Sequence, residues 1–199
     1  WNNEPHIYMS SQKLKDSEYE IDSKGKISYK KKEGWKFKTW KWQDVNEHWN
    51  YVHDEQIIVE VISNIDSVEL FLNDQSLGMK YLSDFPDRIY KWLVPFREGK
   101  LVAKNQKMEA TIQTAQEPAT ILLTTDKKQL NSDGYDVAHI IARLFDKKGN
   151  PVLHSNKKIT FSIQGNVRSL GVDNGSNTNP GPYNSNTVIT NNGNAMLIV

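Results

Sequence analysis

The sequence predicts an all-β protein, built as two tandem β-sandwiches behind an irregular N-terminal segment. Three observations predict it. Apolar residues recur with a period of two in short runs, Asn, Asp, Gly or Pro bounds each run at regular spacing, and no stretch carries the 3.6-residue period of an amphipathic helix. A chain of 199 residues has room for two domains of about 100 residues each.

Residues 1–55 are the least regular. Residues 5–10 read as a strand, and Tyr19-Glu20-Ile21 and Ile27-Ser28-Tyr29 flank Lys24-Gly25 as a hairpin with Lys30-Lys31-Lys32 at its solvated end. Trp35, Phe37, Trp40 and Trp42 then interleave with lysines. Such a segment could stack on bases or sugars. Packing of the rings on a neighbouring domain is the stronger reading, because large apolar patches mark contact surfaces. Strands follow at 56–63, 67–73, 77–82, 88–96, 101–104 and 109–114. In the second of these, Val68, Leu70 and Leu72 alternate with Ser67, Glu69 and Phe71, which gives one buried face, and Asn73-Asp74-Gln75-Ser76 is the turn. Pro118 marks a domain boundary. Beyond it strands are expected at 119–125, 137–145, 159–164, 167–171, 187–190 and 195–199. Ala138, Ile140, Ala142 and Leu144 form one core face, and Ile159, Phe161 and Ile163 another. Between them Asp146 to Pro151 supplies turn chemistry, with Gly149 free to take positive φ. The expected domains are therefore 1–47, 48–117 and 118–199.

Composition removes several classes of function. A net charge of +1, from 25 basic and 24 acidic residues, provides no field to steer nucleic acid or an anionic membrane, so neither partner is expected. No apolar run approaches the roughly 20 residues of a membrane-spanning helix. With no Cys, the chain has no disulfide, thiolate metal site or cysteine nucleophile. His48 and His53, five apart, make a weak metal pattern, and Asp173-Asn174-Gly175 lacks the alternating ligands of a calcium loop and reads as a tight turn. No metal, cofactor or catalytic residue is expected. The start at Trp1 and the apolar finish at Ala195 to Val199 lead us to expect a piece of a larger protein, with the second sandwich truncated at its C-terminus.

Several motifs in order carry a resemblance. His48-Trp49-Asn50-Tyr51, Val59-Glu60-Val61-Ile62-Ser63-Asn64 and Val68-Glu69-Leu70-Phe71-Leu72-Asn73 with Ser76-Leu77-Gly78 resemble the sandwich that follows the catalytic barrel of family 2 glycoside hydrolases, in the β-galactosidase branch. Asp74-Gln75 stands where that family usually has Gly-Lys. Leu130 to His139, Asp146 to Val152 and Leu170 to Gly175 are similar to the next domain of the same enzymes, which is also likened to bacterial immunoglobulin-like adhesin modules. Residues 1–12 resemble the exit from the barrel.

The resemblance implies two immunoglobulin-like β-sandwiches in a non-catalytic role, supporting the barrel of a retaining β-galactosidase, with β-glucuronidase the alternative parent. It also implies a bacterial, exported enzyme, periplasmic or at the cell surface, whose acid/base and nucleophile glutamates lie on the barrel. The alternative is a carbohydrate-binding or adhesive module. For that role Trp35, Trp40, Trp42 and Trp49 are the candidate contacts, either with sugar or with a neighbouring domain, because an indole face matches the apolar face of a pyranose.

Overall fold

The computed structural model describes residues 4–23, 25–30, 45–179 and 181–199. Lys24, Lys31, Lys32 and the aromatic segment 35–42 lie outside the described residues. The fold divides into two compact units, Trp1–Thr114 and Ala115–Val199.

In the first unit, β1 (Ile7–Lys13), β4 (Gln56–Ser63) and β7 (Ile89–Pro95) form an antiparallel sheet in the order β1-β4-β7. A second sheet runs β6-β5-β8-β9, from β5 (Ser67–Leu72), β6 (Gln75–Tyr81), β8 (Lys100–Lys104) and β9 (Glu109–Gln113). The period-two pattern sets their packing. Ile57, Val59 and Val61 from one sheet meet Val68, Leu70, Leu101 and Ala103 from the other, all at 1 % exposure or less. Leu72 is only partly buried against this core.

A third layer departs from simple alternation. Strands β2 (Tyr19–Ile21) and β3 (Ile27–Tyr29) form the expected hairpin, and Tyr19 and Ile27 pack with Ile58 in a separate small core. Consequently Ile57 through Val61 are all buried, including Glu60 at 4 % exposure. A half-exposed strand would leave alternate residues wet, whereas β4 is covered on both faces.

The β5–β6 connection is a two-residue turn. Leu72 pairs with Gln75, and Asn73 and Asp74 have φ of 50° and 64°. Positive φ at both central positions is the type I′ geometry that matches strand twist. The Asn73 side chain ties the turn to the chain entering β8 by donating to Glu98 O (2.8 Å) and accepting from Lys100 N (2.9 Å). This contact needs Gly99, because a Cβ there would lie 1.7 Å from Asn73 Oδ1.

In the second unit, β10 (Thr120–Thr125), β11 (His139–Phe145), β13 (Gly171–Asp173) and β15 (Asn194–Ile198) form a sheet ordered β10-β11-β15-β13. Strands β12 (Lys158–Thr160) and β14 (Thr187–Ile189) pair by themselves as a smaller sheet. Ala138, Ala142, Ile159, Phe161, Val188, Ala195 and Leu197 form the core, with Ile140 and Ile163 partly buried beside it. Two expected strands change. The 159–164 strand is paired only over Lys158–Thr160, and the 167–171 strand moves to Gly171–Asp173, because β15 supplies ladder partners there while Val167 and Leu170 remain 43 % and 47 % exposed.

Candidate functional site

Trp49 anchors the start of the first sandwich. Asn46 bridges to Ser11 by two backbone hydrogen bonds of 2.8 Å, which brings the 46–51 segment against β1. The Trp49 indole is fully buried, donates from Nε1 to Arg97 O at 2.8 Å, and meets Phe96 and Tyr51 edge-on at centroid distances of 5.4 and 6.0 Å. Such edge contacts suit the ring quadrupole. Tyr51 Oη lies 2.7 Å from Ser11 Oγ, which donates to His48 O at 2.6 Å. Burial pushes the Tyr51 phenol up, so it stays protonated and structural. With its faces enclosed, Trp49 offers no platform to a sugar ring. Trp35, Trp40 and Trp42 lie outside the described residues.

The carboxylates tell a second story. Asp146, at 2 % exposure, accepts from Gln116 N, Lys148 N, Asn150 N and Asn150 Nδ2 at 2.8–3.0 Å. These donors, Gln116 first, hold its pKa down at about 2. Asn131 and Lys127 lower Asp136, His139 lowers Asp126, Arg97 lowers Asp54, and Lys13 lowers Glu55. A glycosidic acid/base needs the opposite, a carboxyl raised toward neutrality by an apolar pocket or a like charge. Every resolved carboxylate shift among the described residues is downward.

The weak metal patterns resolve into local structure. His48 Nδ1 accepts from Asn50 N at 3.2 Å, and His53 Nδ1 lies 3.0 Å from Asp54. Asp173 Oδ1 accepts from Asn174 N and Gly175 N at 2.6 and 3.0 Å, an Asx turn. No group of three or more potential metal-ligating side chains occurs among the described residues.

One constellation has no sequence signature. Lys80 Nζ donates to Lys91 O at 2.6 Å and sits over the rings of Trp92 (5.2 Å) and Phe85 (5.7 Å). Burial lowers its pKa. These residues meet through the fold of β6 onto β7, which spacing along the chain does not encode.

Residues 121–199 match the glycoside hydrolase family 2 C-terminal domain 5, and residues 54–112 match a domain of unknown function (DUF4982). The chain is 36% identical over 134 residues to β-galactosidase BoGH2A of Bacteroides ovatus, covering 64% of this chain and 16% of that protein. A β-glucuronidase of Formosa agariphila is 30% identical over 128 residues, which span 59% of this chain and 13% of that protein. Among solved structures, a glycosyl hydrolase family 2 member from Bacteroides cellulosilyticus superposes with a TM-score of 0.82 at 26% identity, covering all of this chain and 25% of its own. A β-glycosidase from Bacteroides vulgatus gives a TM-score of 0.68 at 30% identity over 76% of this chain and 20% of its own. The chain thus spans about one sixth or less of the curated relatives it matches.

Proposed function

We propose that this chain, which is similar to the C-terminal β-sandwich domains of glycoside hydrolase family 2, is a non-catalytic accessory part of a larger retaining glycosidase. In this reading its sandwiches support the catalytic barrel, and the parent hydrolyses terminal β-galactosides. The observation that carries the proposal is the span: this chain aligns along its whole length with one quarter of a family 2 enzyme. β-Glucuronidase is the alternative parent, in keeping with the Formosa relative.

The test compares the 199-residue chain with the polypeptide its gene encodes, using aryl β-galactosides and aryl β-glucuronides. We expect turnover only by the gene-encoded polypeptide, and the sugar it accepts identifies the parent activity. Turnover by the 199-residue chain, abolished by one Glu or Asp substitution, overturns the accessory role. The alternative reading is a carbohydrate-binding or adhesive module in which Trp35, Trp40 and Trp42 contact sugar in place of packing on a neighbouring domain. Glycan binding that survives Trp49→Phe and is lost on replacing those three residues supports it.

A further inference from the structure

The chain carries two Asn-Gly pairs, Asn174-Gly175 and Asn192-Gly193, and the fold treats them oppositely. Such a pair matters because the backbone N of the second residue can close a cyclic imide with the Asn side chain, and a following glycine leaves that ring closure unhindered. At the first pair every group the reaction needs is occupied. Asn174 Oδ1 accepts from Ser176 N at 2.9 Å, Asn174 Nδ2 donates to Ile189 O at 2.9 Å, and Gly175 N donates to Asp173 Oδ1 at 3.0 Å. At the second pair these groups are available. Asn192 is exposed, and among the described residues neither its side-chain amide nor Gly193 N makes a hydrogen bond.

The turn between β14 and β15 also holds Asn192 near the conformation that ring closure requires. Asn191 and Asn194 exchange two backbone hydrogen bonds of 2.9 Å, and Asn192 and Gly193 between them have φ of 47° and 69°, the type I′ geometry. Rotating the peptide plane between Asn192 and Gly193 converts such a turn to type II′, in which the first central residue keeps its positive φ. That rotation carries Gly193 N toward the Asn192 side chain. It gives up the 2.6 Å bond from Asn194 Nδ2 to Asn192 O, and it needs a change of φ at position 193 that glycine permits.

We propose that Asn192 is a site of spontaneous covalent modification, at which the side-chain amide is lost and the main chain is rerouted. Gly193 N attacks Asn192 Cγ, the new N–Cγ bond replaces the Cγ–Nδ2 bond, and Nδ2 leaves as ammonia with the proton that Gly193 N gives up through water. Water then opens the imide. Cleavage of the new N–Cγ bond leaves aspartate, whereas cleavage between Gly193 N and the main-chain carbonyl carbon leaves isoaspartate, whose main chain runs through Cβ and Cγ and is one carbon longer. The seat of Gly193 makes this second product disruptive. Gly193 O accepts from Leu144 N at 2.9 Å, and a Cβ on Gly193 would lie 2.0 Å from Val152 O, so the backbone is in close contact on both sides. A longer chain displaces Gly193 and shifts β15 along β11, where Ala195 pairs with Ala142 in the core. Modification therefore loosens the second unit and spares the first, whose core is separate. None of this depends on the accessory role.

The gene-encoded polypeptide would be incubated at mildly alkaline pH, once native and once in denaturant, and then digested. Cleavage after Tyr183 puts the two pairs on separate peptides, and the mass gain of an amide-to-acid exchange gives the rate of each. In denaturant both pairs should convert at similar rates. In the native protein Asn192 should convert about tenfold faster than Asn174 or more, because Asn174 must first break the hydrogen bonds that hold it. Equal native rates or a faster Asn174 overturn the proposal, as does an Asn192 that converts in denaturant and stays intact in the native protein. The rerouted chain has its own readout. Enzymatic carboxyl methylation counts isoaspartate, and the fraction bearing it should unfold at a lower temperature than an Asn192→Asp variant, which gains the charge without the extra carbon. Identical unfolding of the two overturns the disruption argued at Gly193.

Discussion

At the scale of single residues, polar side chains of this chain work as fasteners. Asp146 gathers three backbone N–H groups and an amide, fixing the Asp146–Asn150 turn and the start of the second unit at Gln116. Its folded pKa, about 2, is below the ordinary 3.8. A depressed carboxylate pKa contributes stability above the unfolded value and loses it as the pH falls through the folded value. Chemical-denaturation midpoints of wild type and Asp146→Asn should therefore differ above pH 4 and converge as the pH falls toward 2. A gap that stays constant over that range would show that the charge is not what holds the turn. The importance of Asp146 was only half legible: Asp-Lys-Lys-Gly-Asn-Pro announces a turn, but its bond to Gln116, 30 residues away, depends on how the two segments meet.

Among the elements, the β5–β6 hairpin shows sequence and structure agreeing with a residual strain. The alternation of Val68 and Leu70 with Ser67 and Glu69 places the core face correctly. Asn73 tolerates positive φ and spends its side chain on Glu98 and Lys100, whereas Asp74 takes φ 64° where the related motif has Gly. A non-glycine residue in the left-handed region is destabilised by up to about 1–2 kcal/mol, less for Asp and Asn. Asp74→Gly should raise stability by about 0.5–1 kcal/mol in urea titrations. A loss of stability would mean that the Asp74 side chain makes a compensating interaction. Strand β4 gives the opposite lesson. Gln56 to Ser63 carries apolar residues on both faces, and only the β2–β3 hairpin, far off in sequence, explains why Ile58 is as buried as Val59.

For the molecule as a whole, two compact units with separate cores predict two unfolding events. Leu70→Ala empties a fully buried site in the first core and should cost about 2–5 kcal/mol. By calorimetry it should lower one transition and leave the other in place. Equal displacement of both would reveal a single cooperative system. The sequence by itself determined the all-β class, the faces of β5 and β11, a turn within Asn73 to Ser76 and the resemblance to the family, because period-two alternation and turn chemistry are local properties and several motifs occur in order; that the turn is only Asn73-Asp74 came from the pairing of Leu72 with Gln75. Only the tertiary structure decided that Trp49 is enclosed by Phe96, Tyr51 and Arg97 O, that Lys80 lies over Trp92, that the strand expected at 167–171 begins at Gly171 as β13, and that Ile121 and Leu123 stay exposed while Leu144 and Ala142, opposite them, are buried. Each of these depends on which distant strand lies opposite, and burial is a property of both partners, while a sequence pattern describes one.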